Sequence, residues 1–313
     1  MITSFFKTTK PFHFVIVTLF SFFIFCYYRK DFILEDLSLA SVVQHFAIYL
    51  VLIFSIAIQA FLVSKNNLTQ KSSFNIVFLV LFLGIIPSSL IDNNILLANL
   101  FIVLAIRRLV SLKSNIAVKK KLFDAAFWIG IASLFYFWAI LFFVLIVFAM
   151  LLYAIGHIKN WVIPFTALIV LVICVTAYSI LISNTFFEIE SYISTVSFDL
   201  SNYNKITLVI GITVIITIII WVMFYYIKKI QDLVRTKRTS YVLILYALFI
   251  ALTIVIISPE KSGSEFIFVF TPLAIISTNY LEIIEDSWFA ELFMWLLVVT
   301  VMVILVLQFY AIG

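Results

Sequence analysis

The segment between the first two apolar runs of the sequence carries three acidic residues, Asp31, Glu35 and Asp36. Asp31 and Glu35 are four positions apart, which puts both carboxylates on one face of a helix. Paired carboxylates can bind a divalent cation or accept the proton of an attacking hydroxyl group. We therefore predict these three residues as catalytic candidates, and no cofactor beyond a divalent cation that they could hold. An ordinary solvated loop would have the same composition.

Six further residues are candidates for substrate binding: Arg29, His45, Asp92, Glu260, Lys261 and Glu265. Arg29 and Lys261 are two of only four cations predicted on their side of the chain, so either could meet the phosphate of a lipid head group. His45 begins the second apolar run, close to the acidic segment, and could act as a base or only form a local hydrogen bond. Asp92 lies in a polar turn, where a plain turn or capping role is the favoured explanation unless the fold places the residue in a cavity.

The sequence contains none of the common catalytic motifs. A phosphate-binding glycine loop, an HExxH pair and a nucleophile elbow are all missing, and only three histidines are present. Cys26 and Cys174 lie in separate apolar runs, and this spacing predicts neither a disulfide nor a metal pair. The basic loops are explained by topology and by anionic lipid, so we predict membrane lipids and no nucleic acid as partners. Protein partners cannot be named from the sequence.

The composition is that of a membrane protein. Hydrophobic residues make up 65% of the 313 positions and charged residues 11%, and the mean hydropathy is +1.25. A membrane-spanning helix needs about 20 apolar residues, and the apolar runs use nearly the whole chain. We predict an all-α integral membrane protein with one polytopic transmembrane domain over residues 1–313. The predicted spans are 12–28, 41–63, 74–91, 93–106, 122–137, 139–155, 161–182, 206–227, 241–257, 266–281 and 288–310.

The charge distribution decides how region 122–155 is interpreted. If this region is a hairpin of two helices, 16 Lys and Arg residues fall on the cytoplasmic side and four on the other. A single helix would flip every later loop and change the split to 12 and eight. The positive-inside rule favours the hairpin, and with it about eleven spans. We expect a bacterial inner-membrane protein with its N-terminus in the cytoplasm and its C-terminus in the periplasm.

Two resemblances extend this prediction. The N-terminal pattern Met1–Lys7, followed by Lys10-Pro11 and a Phe/Ile-rich span, resembles an uncharacterised family of multi-pass inner-membrane proteins from Bacteroidetes-type bacteria. The architecture is similar to that of polyprenyl-phosphate-dependent glycosyltransferases of the GT-C class. The acidic first outer loop, the short helical pairs at 74–106 and 122–155, and the late stretch from Glu265 to Pro272 carry that similarity. The chain departs from the GT-C pattern in having Lys261 and Glu265 where an Arg or His is common.

The GT-C resemblance implies a membrane glycosyltransferase that acts on an isoprenoid-phosphate-linked sugar at the outer leaflet, in the synthesis of cell-envelope glycans. On this hypothesis Asp31, Glu35, Asp92 and Lys261 converge on one outward cavity, since base and cation must flank one reacting centre. A non-enzymatic assembly subunit of an envelope complex is the alternative, suggested by the lack of charge inside the spans. A secondary transporter ranks third, because ion relays usually place ionisable groups at the bilayer midplane.

Overall fold

The computed structural model describes residues 2–35, 38–186 and 193–311; for Asp31, Leu34, Glu35, Arg235, Thr236 and residues 309–311 it describes the backbone alone. The described residues form α-helices, short 3₁₀ turns and loops, without a β-strand. The all-α prediction is therefore confirmed. The helices are α1 Ile2–Phe6, α2 Pro11–Tyr28, α3 Lys30–Glu35, α4 Leu39–Asn66, α5 Phe74–Ile85, α6 Asn93–Val110, α7 Val118–Phe135, α8 Phe143–Leu152, α9 Ile158–Ser183, α10 Ile206–Asp232, α11 Arg235–Ile257, α12 Ile267–Leu281 and α13 Ser287–Ala311.

Eight helical segments of the described chain are long and apolar enough to cross a membrane, which fits a multi-pass membrane protein. They comprise α2, α4, α9 and α10, most of α11 and of α13, and α6 and α12 with their adjoining 3₁₀ turns. Two shorter apolar segments, Phe74–Ile85 and Phe137–Leu152, lie beside them. Helix α7 begins with three lysines and contains Asp124, so it carries more charge than the eight. The eight segments therefore support membrane insertion without fixing the predicted number of spans.

The centre of the bundle is formed by α12 and α5. Every residue from Ser264 to Leu281 and from Phe74 to Ile85 is buried. Most polar side chains of α12 are paired inside the bundle, since an unpaired polar group away from water is costly. Among the described residues the Ser277 hydroxyl is the one in this helix without a partner. Thr271 Oγ1 donates to Gln59 Oε1 on α4 (3.0 Å), and Asn279 Nδ2 donates to the carbonyl oxygen of Leu68 (3.0 Å). These bonds fix how α12 sits against α4 and the loop that follows it.

Helix α9 lies at the opposite extreme, on the outside of the bundle. Only 11% of the residues in its most apolar stretch are buried, against 100% of those in the corresponding stretch of α12. It packs on α7 through Leu171, whose Cδ2 lies 2.5 Å from where a Cβ on Gly130 would stand. Most of its exposed surface is apolar, including Phe165 and Ile169. Such a surface is stable against lipid tails and unstable in water, so the exposed face of α9 agrees with membrane insertion.

Loop contacts define one end of the bundle, which we call the acidic end. There Arg29 Nε donates to the carbonyl oxygen of Leu90 (2.8 Å), and Ser264 Oγ donates to the carbonyl oxygen of Ser88 (2.9 Å). Because these bonds join loops far apart in sequence, the loops share one surface. The acidic end consists of the described segments 28–35, 38–45, 86–93, 135–137, 193–206 and 257–265.

The other end, which we call the basic end, holds the N-terminal segment and the remaining loops. Ser73 Oγ donates to the carbonyl oxygen of Thr8 (3.1 Å), and Ser72 Oγ donates to Glu282 (2.7 Å). All 20 Lys and Arg residues lie in the described ranges, and only Arg29, Lys30, Lys205 and Lys261 belong to the acidic end. The remaining 16 are at or next to the basic end. The charge asymmetry predicted from the sequence is thus also an asymmetry between the two ends of the fold.

The chain reverses direction at Tyr136, inside the region predicted as a hairpin. Helix α7 ends at Phe135, and Tyr136 has an extended backbone conformation. The Tyr136 hydroxyl donates to Ser258 Oγ at the acidic end (2.9 Å). The Tyr153 hydroxyl lies 3.1 Å from Ser240 Oγ at the opposite end of α11. Those two serines are 18 residues apart, which is about 27 Å along a helix, so Tyr136 and Tyr153 lie at opposite ends of the bundle. Helix α7 ends beside Tyr136 and α8 ends beside Tyr153, and the two helices therefore run in opposite directions.

Candidate functional site

A half-open cavity of about 670 Å³ lies at the acidic end. Its walls come from five parts of the chain: the last turns of α2 and α13, the turn after α5, the segment 201–208 that leads into α10, and the loop between α11 and α12. Most of the side chains are polar, which is unusual in a chain this apolar. The cavity is lined by Tyr28, Pro87, Ser88, Ile91, Ser201, Asn202, Asn204, Lys205, Thr207, Leu208, Glu260, Lys261, Ser262, Ser264 and Gln308.

Lys261 shapes the wall of this cavity. Its side chain is fully buried, and its ammonium group donates to the carbonyl oxygens of Ser197 (2.8 Å), Ile256 (2.6 Å) and Ser258 (3.0 Å). Burial lowers the pKa of Lys261, and the nearby Glu265 opposes that change. An ammonium group has three N–H donors, and here all three are used by the backbone. Lys261, predicted to bind substrate, thus holds the cavity loop to the end of α11.

Glu265 organises the same loop from within. Its Oε1 accepts hydrogen bonds from Ser258 Oγ (2.9 Å) and from the backbone N–H of Ser262 (3.0 Å). The side chain is fully buried and does not line the cavity, and its Oε2 has no partner among the described residues. Since Tyr136 donates to the same Ser258 hydroxyl, a chain of hydrogen bonds links the α7–α8 reversal to the cavity loop.

Gly263 allows the loop to close against the turn after α5. Its φ of 91° lies in the left-handed region that favours glycine. A Cβ at this position would also collide with Ser88 Oγ. The next residue, Ser264, donates through Oγ to the carbonyl oxygen of Ser88. Residue 263 therefore sets how closely two walls of the cavity approach each other.

Arg29, His45 and Asp92 lie together beside the cavity. The buried Arg29 guanidinium donates to the carbonyl oxygen of Ile91 (2.7 Å) and to Asn93 Oδ1 (2.6 Å), in addition to Leu90. Its Nη1 also donates to His45 Nδ1 (3.2 Å). Burial lowers the pKa of Arg29 to about 10, with the nearby Asp92 opposing the change, so the group stays charged at neutral pH. The cluster clamps the cavity-lining turn onto the end of α2.

Asp92 itself caps α6. Its Oδ1 accepts hydrogen bonds from the backbone N–H groups of Asn94 (2.7 Å) and Ile95 (3.1 Å). A carboxylate at this position satisfies N–H groups that have no partner within the helix and stabilises the positive end of the helix dipole. Asp92 is absent from the cavity lining, so of the described candidates the cavity brings together Glu260 and Lys261.

The structure describes the three catalytic candidates only in part. Helix α3 carries Asp31 and Glu35 and begins at Lys30, two residues after the cavity-lining Tyr28. The side chains of Asp31 and Glu35 are outside the description, and Asp36 falls outside the described residues altogether. In the part of the chain whose side chains are described, no group of three or more His, Cys, Asp or Glu residues could hold a metal ion. Convergence of the acidic segment on the cavity, with or without a cation, stays a prediction.

Lys205 is the site residue that the sequence analysis missed. It lies at the N-cap of α10, is exposed, lines the cavity, and its ammonium group has no hydrogen-bond partner among the described residues. Ser88 Oγ, in the opposite wall, is likewise unpartnered there. Lys205 could have been found as one of only four cations on its side of the chain. Ser88 and Asn202 carry no comparable signal, because small polar residues are ordinary in turns.

An apolar groove of about 610 Å³ lies between α2 and α13. Tyr27 ends it on the cavity side, where its hydroxyl donates to the carbonyl oxygen of Leu305 (3.0 Å). The Lys30 ammonium lies 5.4 Å from the centre of the Tyr27 ring, at the polar end of the groove. The last turns of the same two helices supply Tyr28 and Gln308 to the cavity. The groove is lined by Phe20, Phe23, Ile24, Cys26, Tyr27, Lys30, Leu305 and Val306.

Comparison with known proteins adds no relative. The chain matches none of the protein-family models, none of the curated proteins and none of the solved structures with which it was compared. Both family resemblances therefore stay predictions, and a functional proposal must rest on the cavity and the groove.

Proposed function

We propose that the chain crosses a bacterial inner membrane eleven times, with the basic end in the cytoplasm and the acidic end facing the periplasm. The 16 cations at or next to the basic end support this orientation through the positive-inside rule. The shorter segments Phe74–Ile85 and Phe137–Leu152 and the more charged α7 each connect a loop at one end to a loop at the other. Short or irregular segments are tolerated at membrane depth when protein surrounds them, as it does α5.

We further propose that the protein binds an isoprenoid-phosphate-linked sugar at the outer leaflet and transfers the sugar to an acceptor. The observation that carries this proposal is that one polar cavity and one apolar groove are bordered by the same two helix ends. An amphiphilic substrate needs this arrangement, because its head group requires polar partners while its chain requires an apolar surface. The groove would hold the isoprenoid chain and the cavity the phosphate and the sugar.

The phosphate contact is assigned to Lys205 and the first turn of α10. The Lys205 side chain does not cap α10, so the first N–H groups of this 27-residue helix are open to an anion. The Lys205 ammonium adds a full positive charge beside them, from an exposed side chain that lines the cavity. Lys261 contributes through its field and through the shape of the wall, because its N–H donors are already used.

The base is assigned to a carboxylate at the cavity. In glycosyl transfer a bond forms between the acceptor oxygen and the anomeric carbon, while the bond from that carbon to the phosphate oxygen breaks. The phosphate stays on the lipid, and the proton of the acceptor hydroxyl passes to a carboxylate. Glu260 is the described carboxylate that lines the cavity, and it is exposed. Asp31, Glu35 and Asp36, in the adjacent acidic segment, are the other candidates for this role.

The experiment measures transfer of a radiolabelled sugar from polyprenyl phosphate to envelope glycan, in membranes that contain the protein. Glu260→Gln keeps the shape of the side chain and removes the base, so transfer should fall about 100-fold or more. Lys205→Gln should raise KM for the lipid donor. The matched control is Asp199→Asn, which keeps the acceptor that binds the Ser201 N–H at the same end, and it should transfer normally.

Two results would contradict the proposal in different ways. If Glu260→Gln transfers sugar as well as Asp199→Asn does, the base is not in the described cavity wall. If the wild-type protein transfers no sugar and binds no polyprenyl phosphate, the enzyme hypothesis fails. The non-enzymatic assembly subunit, which makes no use of the cavity, would then be the first alternative, ahead of the secondary transporter.

A further inference from the structure

A second, smaller crevice lies at the basic end, on the opposite side of the molecule from the cavity. Its volume is about 280 Å³, and it is enclosed by the end of α4, the loop from Asn67 to Ser73 and the start of α5. Most of the side chains that line it are polar or small. No part of the proposed glycosyl transfer uses this crevice.

Asn75 supplies a buried hydrogen-bond donor in the lining of this crevice. Its side chain is only 3% exposed and lines the crevice. Its Oδ1 accepts a hydrogen bond from Gln59 Nε2 (3.0 Å), and the Gln59 Oε1 accepts one from Thr271 (3.0 Å). This chain of bonds orients the Asn75 amide and leaves its Nδ2 without a partner among the described residues. A buried N–H donor without an acceptor costs about 1–3 kcal/mol, so an acceptor in the crevice would stabilise it.

Two further sources of positive potential face the same crevice. The first is the N-terminus of the 12-residue helix α5, whose N-cap Ser73 gives no side-chain cap. The Ser73 hydroxyl bonds instead to the Thr8 carbonyl oxygen and to His13, so the N–H groups of the first turn remain available. The second is the exposed ammonium group of Lys71 at the mouth. The neighbouring carboxylate of Glu282 is held by the backbone N–H of Gln70 and by Ser72.

From these three observations we infer that the crevice binds a phosphate group, with Asn75 and the α5 N-terminus as donors and Lys71 as the cation. A helix N-terminus joined to a fixed amide donor and a lysine forms a common type of oxyanion site. The phosphate can belong to a free inorganic anion or to the head group of a phospholipid in the adjacent leaflet. Both sources present the same oxygens to the same donors.

The test is titration of the purified, delipidated full chain in detergent with inorganic phosphate, followed by calorimetry. Asn75→Asp keeps the oxygen that accepts from Gln59 and replaces the free amide donor with a second oxygen. It should weaken phosphate binding at least about tenfold, which corresponds to about 1.4 kcal/mol. Lys71→Gln should weaken binding severalfold. The matched control Lys65→Gln removes an exposed cation from the same end outside the crevice, and it should bind as wild type does.

A second arm separates the two sources of phosphate. The wild-type protein and Asn75→Asp are reconstituted in phosphatidylglycerol nanodiscs and examined by native mass spectrometry. If the wild-type protein retains a lipid that the Asn75→Asp variant loses, the phosphate is that of a lipid head group. If calorimetry shows phosphate binding and no lipid is retained, the ligand is free phosphate. Absence of both, or equal effects of Lys71→Gln and Lys65→Gln, would overturn the inference. Because Lys71 is exposed, its variant decides the matter even if Asn75→Asp fails to fold.

Discussion

Arg29 is the residue that ties the acidic end together. Its guanidinium group donates to two backbone carbonyls and to Asn93, and it is only 2% exposed. Truncation of the side chain would leave the carbonyl oxygen of the buried Leu90 unpaired, which is among the more costly single changes in a protein interior.

We predict that Arg29→Met lowers the free energy of unfolding by about 3 kcal/mol, from the lost charge-assisted bonds and the unpaired acceptors. Thermal unfolding in detergent, followed by circular dichroism, measures the change. The neighbouring Lys30→Met is the control, because the contact described for the Lys30 ammonium is with the face of the Tyr27 ring. Equal destabilisation by both substitutions would show that the bonds of Arg29 to the turn are not what stabilises the end.

For individual residues, the sequence predicted which of them lie close together better than it predicted what each one binds. Topology alone put Arg29, His45 and Asp92 on one side of the chain, and the fold brings the three together. Their donors and acceptors are directed at backbone groups of one turn, and the positions of those groups depend on tertiary packing. For the same reason the sequence favoured Lys261, whose donors are used, over Lys205, whose donors are open.

Among the elements, α10 depends on an unusually close contact with α5. A Cβ on Gly211 would lie 2.5 Å from the backbone oxygen of Ile85. A backbone atom cannot rotate away as a side chain can, so any larger residue would move the helix. Gly211 lies one turn from Thr207 and Leu208, which line the cavity, and the contact therefore positions the phosphate-binding end of α10.

We predict that Gly211→Val lowers the free energy of unfolding by about 1–3 kcal/mol through overpacking, and that it weakens binding of polyprenyl phosphate. Gly156→Val is the matched control, since nothing lies within 4 Å of a Cβ at Gly156. Unfolding in detergent and lipid-binding titration measure the two effects. If Gly211→Val is as stable as the control and binds lipid normally, α10 is not positioned by this contact.

The helical elements themselves were well predicted from apolar runs, and the reversal within 122–155 from charge. The sequence could not show that the predicted span 74–91 ends as a helix at Ile85 and continues through a 3₁₀ turn. Proline at position 87 starts that turn, but only packing against the loop from Gly263 onward selects it. Nor could it show which helices are central, because α12 and α9 are both apolar runs and differ only in their neighbours.

For the whole molecule, the number of membrane crossings decides where the two termini lie. Eleven crossings put them on opposite sides of the membrane, whereas crossing by the eight long segments alone would put them on the same side. We predict that a topology reporter fused at Lys119 reads cytoplasmic, and that reporters at Asn202 and after Gly313 read periplasmic. A cytoplasmic reading after Gly313 would remove a crossing from the proposal, with the 122–155 hairpin the first to be reconsidered.

The central claim is that one lipid-linked phosphate occupies the polar cavity and the α2–α13 groove together. The most direct measurement is photo-crosslinking with a polyprenyl phosphate that carries a diazirine in its chain, followed by peptide mapping. We predict crosslinks concentrated on groove residues such as Phe23 and Leu305, lost on competition with unlabelled polyprenyl phosphate and weakened by Lys205→Gln. Crosslinks spread equally over the groove and the exposed face of α9, at Phe165 and Ile169, and insensitive to competition, would contradict the claim.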